Sequence, residues 1–258
     1  MNFAGKSDKG LIRSRNEDSF CIIGGADGAP LLLAVADGMG GHRAGATASQ
    51  MAISVISESV AAAPIDSDNT AALRTRLFEL VRIANDVIYK KSLSSPEYEG
   101  MGTTLIVAAA LPGKLTLAHV GDSCAYYFRD RAAYKITTDH TYVEELIRIG
   151  SLTREEAARH PKRNYITKAV GCAGRIAADF YTVALKDYDR VLLCTDGLSK
   201  MLTEPEIAEI MYASDDPAQI CGRLIELSNH RGGLDNITVL AAINTPTPPG
   251  GSDSEAAV

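Results

Sequence analysis

Short apolar runs separated by polar turns dominate the hydrophobic pattern of the chain. Such runs predict strands, and they lie at 2–7, 19–23, 31–36, 104–110, 114–120, 125–129, 180–185, 190–194 and 236–243. Elsewhere apolar residues recur at every third or fourth position. This spacing predicts helices over about 43–63, 70–93, 142–149, 204–213 and 217–229, and a helix that begins near Thr153. No repeat or internal linker interrupts this mixture, so the pattern predicts one domain over 1–244.

The last stretch of the chain, 245–258, has a different composition. It is rich in Pro, Gly and Ser. A segment of this kind has too little apolar surface to offset the entropy that is lost on folding. We therefore expect the tail to be disordered.

Charge and composition narrow the possible functions. The formal net charge is −6, so nucleic acids and anionic membranes gain no electrostatic attraction, and neither is expected as a partner. The five cysteines form no Cys-x-x-Cys pair, which argues against a zinc cluster or a disulfide framework. No apolar run approaches the ~18 residues of a spanning helix, and the first residues lack the apolar core of a signal peptide. We expect a cytoplasmic protein with reduced thiols.

Acidic residues are the candidate chemistry. Two predicted strands run into the same dipeptide, at Asp37-Gly38 and Asp196-Gly197, although an Asp-Gly pair alone is most often a turn. Further acids also lie where a strand meets a turn: Glu17, Asp18, Asp122, Asp139 and Asp235. Clustered carboxylates repel one another unless cations compensate them, and all-oxygen ligands favour Mg²⁺ or Mn²⁺ over zinc. Two such ions can place a hydroxide for in-line attack on phosphorus.

Eight short motifs surround these acids. They are Ser7-Asp8-x-Gly10-x-x-Arg13-x-x-Asn16-Glu17-Asp18, Ala36-Asp37-Gly38-Met39-Gly40-Gly41-His42, Met101-Gly102-Thr103-Thr104, Gly121-Asp122-Ser123, Thr138-Asp139-His140, His160-Pro161-x-x-Asn164, Thr195-Asp196-Gly197 and Asp235-Asn236-Ile237-Thr238-Val239. In this order they resemble the bacterial metal-dependent protein phosphatases of type 2C, the PPM family, which dephosphorylate Ser and Thr. The resemblance runs from about residue 3 to 243. Each motif is short, but together they are specific.

The resemblance implies a centre of Mn²⁺ or Mg²⁺ with two tight ions and a weaker third one. Asp37 then bridges the two tight ions, and Gly38 offers its backbone carbonyl to one of them. Asp196 and Asp235 hold the other. The remaining implied metal-site residues are Glu17 and Asp18, which act largely through bound water, and Asp122, which shares the weaker ion with Asp196.

The resemblance also implies the reaction. A metal-bridged water or hydroxide attacks the phosphate in line, and no covalent phosphoenzyme forms. Arg13 grips the phosphate because a guanidinium presents a fork of donors. The implied catalytic residues are Asp37, Arg13 and Asp122. Residues 141–168 would form a flap beside the cleft, where His160 and Arg163 are candidates for substrate contact and are otherwise solvated surface.

The implied fold is α+β, a four-layer α-β-β-α sandwich. Two antiparallel sheets are flanked by helix pairs, and the metal cleft lies at one end. The implied partners are Ser/Thr-phosphorylated proteins and a cognate bacterial Ser/Thr kinase whose signalling the enzyme reverses. A monomer is expected.

Some residues near the motifs keep a structural interpretation. Asp18 has the alternative role of capping a turn, while Asp8 and Asp139 are interpreted as structural. His42 is displaced from the position directly after Asp-Gly, which argues against a role as general acid. One residue departs from the family pattern: Cys124 follows Gly-Asp-Ser where Arg is common.

Other functions fit the residues less well. A cysteine-based phosphatase needs an Arg six residues after its Cys, and none of the cysteines has one. The run Asp66-Ser67-Asp68-Asn69-Thr70 matches an aspartyl-phosphate motif, but it follows Ala-Ala-Ala-Pro and is predicted to cap the second helix. The loops of a kinase are absent. A phosphatase dedicated to one regulatory partner stays open, as does a non-catalytic phosphoprotein-binding module, although the retained acids favour catalysis.

Overall fold

The computed structural model describes residues 1–24, 31–40, 44–65 and 69–245. The strands are β1 Asn2–Asp8, β2 Asp18–Gly24, β3 Leu31–Met39, β4 Gly102–Thr103, β5 Leu105–Leu111, β6 Lys114–Val120, β7 Cys124–Arg129, β8 Ala132–Lys135, β9 Asp179–Ala184, β10 Arg190–Cys194 and β11 Ile237–Ile243. The helices are α1 Ala44–Ala62, α2 Thr70–Ser92, α3 Tyr142–Arg148, α4 Arg154–Arg159, α5 Asp196–Ser199, α6 Glu204–Met211 and α7 Pro217–His230, with one 3-10 turn at Pro96–Tyr98. Within the described ranges, no helix is long and apolar enough to cross a membrane. His42 and the tail beyond Thr245 lie outside these ranges.

The strands form two antiparallel sheets. One sheet has five strands in the order β1-β11-β10-β7-β8. The other has the order β2-β3-β5-β6-β9, with β4 paired to the end of β3. Most of the strands in both sheets coincide with the predicted apolar runs. Apolar runs form strands here because a sheet buries the side chains on the face that packs against the core.

Three apolar clusters show where the layers meet. One lies between the sheets and includes Leu33, Ile106 and Leu193. A second joins α1 and α2 to the sheet that contains β3. The third joins α6 and α7 to the sheet that contains β10. The molecule is therefore a four-layer α-β-β-α sandwich, which confirms the predicted fold class.

Three short elements were not predicted from the apolar pattern. Strand β4 has two residues and α5 has four, so neither is long enough to display a period. Strand β8 is an edge strand that pairs with β7 and reads Ala-Ala-Tyr-Lys, with none of its residues fully buried. Such segments owe their conformation to their neighbours in the fold.

Strand pairing gathers the acids at one end of the sandwich. Asp18 begins β2 and lies directly opposite Asp37 in the pair with β3. Asp122 follows the end of β6, and Asp196 follows the end of β10. Asp235 precedes the start of β11, which pairs antiparallel with β10. Because antiparallel strands alternate in direction, the end of one strand and the start of the next meet at the same edge.

Candidate metal centre

The backbone that carries Asp37 is held from two sides. Its N–H donates to Thr104 Oγ1 at 2.9 Å, and its carbonyl accepts from the Thr104 N–H at 2.9 Å. The next residue, Gly38, donates its N–H to the Glu17 carbonyl at 3.1 Å. A Cβ on Gly38 would lie 2.0 Å from the carbonyl oxygen of Gly45, so only glycine fits there. The strand end is therefore closely packed.

Asp18 is buried and joins three strands. Its Oδ2 accepts from Thr195 Oγ1 at 2.8 Å and from Thr238 Oγ1 at 2.7 Å. Its Oδ1 has no hydrogen-bond partner among the described residues. The side chain thus reaches across to the end of β10 and the start of β11 rather than to its own turn. The sequence analysis did not single out either threonine, although both lie in the quoted motifs.

Asp196 is the first residue of α5 and is buried. Lys200 follows it by four residues, so the two side chains share one helix face, and the Lys200 ammonium donates to Asp196 Oδ2. Asp196 Oδ1 has no hydrogen-bond partner in the part of the chain that is described. The sequence analysis missed Lys200 because the four-residue helix that positions it was not predicted.

Asp235 is paired with Arg13, the candidate residue for binding the substrate phosphate. Arg13 Nη2 donates to Asp235 Oδ2 at 2.8 Å, and about half of the arginine side chain is exposed. Asn236 fixes the loop that carries Arg13: its Nδ2 donates to the Arg15 carbonyl at 2.7 Å, and its Oδ1 accepts from the Glu17 N–H at 2.8 Å. Asn236 is a positioning residue whose role its motif alone did not reveal.

Asp122 lies in the buried turn after β6, and its Oδ1 has no hydrogen-bond partner within the described ranges. The thiol of Cys124 lies 3.5 Å from the Asp122 carbonyl oxygen and 3.8 Å from Asp139 Oδ1. A positively charged side chain lies nearby, even though Cys124 occupies the position where Arg is common. Lys135 Nζ, on β8, donates to both carboxylate oxygens of Asp139 at 2.8 Å. Asp139 is therefore half of an ion pair, in keeping with its structural interpretation.

Asp8 shapes the loop that follows β1. Its Oδ1 accepts from the Gly10 N–H at 2.8 Å and from Asn229 Nδ2 at 3.1 Å. Gly10 has a φ of 75°, which a residue with a side chain rarely adopts. The structural interpretation of Asp8 agrees with these contacts.

Burial and mutual repulsion raise the pKa values of the clustered acids. Burial, followed by the charge of Asp196, raises the pKa of Asp122 to about 7. Burial also raises the pKa of Asp18 to about 7. The pKa of Asp37 lies well above its usual range because of burial and the surrounding carboxylates. Burial raises the pKa of Glu17 as well. Ionising a buried carboxylate that lies near other carboxylates costs free energy, and a nearby cation offsets this cost.

The donor atoms fit a hard divalent cation. Three buried carboxylate oxygens lack hydrogen-bond partners among the described residues: Asp18 Oδ1, Asp122 Oδ1 and Asp196 Oδ1. Buried polar atoms are rarely left unpaired, and carboxylate oxygens suit Mg²⁺ and Mn²⁺. In the same ranges no three acidic, His or Cys side chains already converge as a finished coordination shell.

A cleft of about 780 Å³ opens beside the acids. Asp122, Asp196 and Asp235 line it from the sheets, and Arg154 and Arg163 line it from the predicted flap. In the flap, α3 and α4 lie between residues 141 and 166, which an antiparallel bridge joins. Of the two candidate substrate contacts on the flap, Arg163 thus shares the cleft with the acids.

His160, the other candidate, makes contacts within the flap. Its ring centroid lies 5.7 Å from that of Tyr142, and its Nδ1 accepts from the Lys162 N–H at 3.1 Å. The lysine ammonium in turn lies 5.4 Å from the Tyr142 ring centroid. In this arrangement the histidine stabilises the flap, and its contact with substrate stays a prediction.

Known proteins match this chain over most of its length. The family model for protein phosphatase 2C matches residues 13–222. The serine/threonine phosphatase stp of Listeria monocytogenes is 36% identical over 240 residues, which cover 91% of this chain and 92% of the relative. The solved serine/threonine phosphatase of S. agalactiae has a TM-score of 0.88 at 35% identity and covers 95% of this chain and 99% of its own. The solved catalytic domain of PstP, in complex with two manganese ions, has a TM-score of 0.79 at 37% identity, covering 94% and 97%.

Two antiparallel sheets between helix pairs, with buried carboxylates around a cleft at one end, define a metal-dependent phosphoester hydrolase. The chain belongs to the protein phosphatase 2C family. It is accordingly a metal-dependent serine/threonine protein phosphatase, and the resemblance noted in the sequence is confirmed.

Proposed function

We propose that this enzyme hydrolyses phosphoserine and phosphothreonine in proteins with two Mn²⁺ or Mg²⁺ ions held by the acids of the cleft. The observation that carries the proposal is a set of buried carboxylate oxygens at one end of the sandwich, on Asp18, Asp122 and Asp196, that have no hydrogen-bond partner among the described residues. The solved relative that contains two manganese ions supports the choice of metal.

The acids have distinct roles in this proposal. Asp37 would hold both tight ions, with the Gly38 carbonyl on one of them and Asp196 and Asp235 on the other. Such ions supply Lewis-acid charge that activates water and stabilises the negative charge that develops on the phosphate. The remaining metal-site residues are Glu17 and Asp18, which orient water at the edge of the site, and Asp122, which shares a weaker third ion with Asp196.

Arg13 would bind the phosphate of the substrate. Its guanidinium is half exposed and is already hydrogen-bonded to a metal-ligand candidate, Asp235. A planar fork of N–H donors can bind two phosphate oxygens at once. Arg163, across the cleft, provides a second positive charge for the same phosphoprotein, and His160 would contact it through the flap.

The biological setting is also part of the proposal. The substrates would be Ser/Thr-phosphorylated proteins of the cytoplasm, and a cognate Ser/Thr kinase would supply them. The enzyme would act as a monomer and reverse that kinase's signalling. The catalytic domain would span 1–244, with a flap over 141–168.

Metal removal tests the proposal directly. Protein dialysed against EDTA should lose its turnover of a phosphothreonine peptide, because the carboxylates alone cannot activate water or bind phosphate. Turnover should return with Mn²⁺ or Mg²⁺. Release of inorganic phosphate is the measurement, and an Asp37→Asn protein purified in the same way controls for contaminating phosphatases. Turnover that persists after exhaustive chelation would contradict the two-metal site.

A further inference from the structure

Two cysteines face each other beneath the metal centre. Cys124 begins β7 and Cys194 ends β10, and the two residues are directly opposite in the antiparallel pair. Both side chains belong to the core between this sheet and helices α6 and α7. Residues directly opposite in an antiparallel pair place their side chains on the same face of the sheet, so the two thiols are neighbours. The pair could not be recognised from the sequence, because seventy positions separate the two cysteines and only strand register brings them together.

The backbone at this pair has the right separation for a disulfide. The backbone N–H and carbonyl groups of Ala125 point toward the segment that follows β8. The N–H donates to Thr137 Oγ1 at 3.1 Å, and the carbonyl accepts from the Ile136 N–H at 2.8 Å. Successive residues in a strand alternate, so those of Cys124 point toward β10. Opposite residues that exchange such hydrogen bonds have Cα atoms about 5.5 Å apart. Disulfides occur at Cα separations of about 4.4–6.8 Å, so the Cα atoms are within range. The Cβ atoms of such a pair lie about 5 Å apart, and they must approach to about 4 Å when the disulfide forms.

The pair is closely connected to the metal-site candidates. Cys124 is two residues after Asp122, and Cys194 is two residues before Asp196. The Cys124 thiol also lies 3.5 Å from the Asp122 carbonyl oxygen and 3.8 Å from Ser199 Oγ on α5. It therefore packs between the two segments that would hold the weaker ion. Ser199 lines the cleft, so one of the side chains that contact the buried thiol also reaches the cleft.

We propose that Cys124 and Cys194 form a reversible oxidation site for hydrogen peroxide. One thiol sulfur attacks a peroxide oxygen, the O–O bond breaks, and water leaves with the formation of a sulfenic acid. The second thiol then displaces the sulfenic hydroxyl, which leaves as a second water, and the S–S bond forms. Two thiols lose two electrons and two protons, and the peroxide is reduced to two waters.

Formation of the disulfide changes the surroundings of both metal-site segments. It replaces a contact between two thiols by a shorter covalent bond, and it removes the thiol proton that Cys124 offers to the Asp122 carbonyl. Groups that orient metal ligands typically matter by 10–100-fold in affinity or activity. Oxidation should therefore lower phosphatase turnover. This consequence rests on the proposed function, whereas the formation of the disulfide is independent of it.

Peptide mapping of the Mg²⁺-loaded full-length enzyme tests the site. A Cys172→Ser background removes the exposed thiol, and the protein is treated with hydrogen peroxide, blocked with an alkylating reagent and digested without reduction. We expect a peptide pair linked through Cys124 and Cys194, with a mass lower by the two thiol hydrogens. We also expect turnover to fall about tenfold and to return with dithiothreitol.

Single substitutions distinguish oxidation of this cysteine pair from oxidation elsewhere in the protein. Cys124→Ser and Cys194→Ser should each abolish the linked peptide and the reversible loss of turnover. Cys221→Ser is the matched control, because Cys221 is equally buried but contacts backbone carbonyls of Ala4 and Val239. Absence of the linked peptide in the parent protein would overturn the site whatever the enzyme's activity. A linked peptide with unchanged turnover would overturn the proposed effect of the disulfide on the reaction. An enzyme that is inactive before oxidation would instead contradict the proposed phosphatase function.

Discussion

The dipeptide Asp-Gly occurs twice at the metal end of the sandwich, and the two copies fold differently. Asp37-Gly38 continues β3 and pairs with β2 and β4. Asp196-Gly197 leaves β10 and begins the short helix α5. Both glycines are nevertheless required for the same reason. A Cβ on Gly38 would lie 2.0 Å from one backbone carbonyl oxygen, and a Cβ on Gly197 would lie 1.9 Å from another.

The two aspartates differ in how their charge is compensated. After burial, the strongest influences on the pKa of Asp37 are four other acids: Asp18, Asp196, Asp122 and Asp235. Asp196 has a cation of its own, because the helix that it starts places Lys200 one turn later. One sequence motif therefore yields an acid surrounded by like charge and an acid with an internal partner. The first depends more strongly on a bound metal than the second.

The largest expected effect follows from this difference. Asp37→Asn should reduce kcat/KM on a phosphothreonine peptide roughly thousandfold or more, since several kcal/mol of charge stabilisation is lost when the bridging ligand is neutral. Asp196→Asn should reduce it less, roughly a hundredfold, because it would hold one tight ion rather than two. Steady-state kinetics with saturating Mn²⁺ is the measurement.

Circular dichroism must show that both variants keep the native fold. An exposed acid on α2, Asp86, provides the matched control, and Asp86→Asn should leave turnover unchanged. Near-normal turnover of Asp37→Asn would refute its assignment as the bridging ligand. Equal losses at the two positions would remove the contrast between the two dipeptides.

The contrast also shows what the sequence could predict. Short apolar runs such as 190–194 predicted strands because a run of this length between turn residues is typical of a strand that is buried on both faces. The acids could be placed near one another because each lies at a strand end, and the family motifs supplied their order. Asp37 and Asp196 were accordingly both candidates before the fold was known.

Other features depend on tertiary contacts that no local pattern records. The helix after Asp196 has four residues, so Lys200 could not be assigned to the site by periodicity. Asp18 owes its buried position to Thr195 and Thr238, which come from distant strands. The pairing of Cys124 with Cys194 follows from strand register, which the sequence does not specify on its own.

The second prediction concerns pH and the metal-free protein. The folded pKa of Asp18 and that of Asp122 are about 7, against 3.8 for an ordinary aspartate. Between these values the folded state binds protons that the unfolded state has lost, so the free energy of unfolding falls as pH rises. Urea denaturation in EDTA should give a stability at pH 5.5 that is greater than at pH 7.5 by on the order of 2 kcal/mol for each of the two carboxyls.

Two comparisons define that experiment. Asp18→Asn should lose part of the pH dependence, because asparagine stays neutral at every pH, while Asp86→Asn should keep all of it. Saturating Mn²⁺ should reverse the trend, since metal ions compete with protons for the same oxygens and bind better as pH rises. A metal-free protein that becomes more stable from pH 5.5 to 7.5 would contradict the raised pKa values.

The smallest expected effect tests the internal cation directly. Lys200→Met removes the ammonium from Asp196 and keeps a side chain of similar length. The pair is partly exposed, so its contribution is about 1 kcal/mol at most, and Mn²⁺ should bind up to about fivefold more tightly once this competitor is absent. Isothermal titration of the metal-free protein with Mn²⁺ is the measurement. Lys168→Met is the matched control, because Lys168 is 38% exposed against 39% for Lys200 and is paired with Asp179, away from the metal-ligand candidates. If Mn²⁺ binds more weakly to Lys200→Met, the lysine positions Asp196 for the ion instead of competing with it.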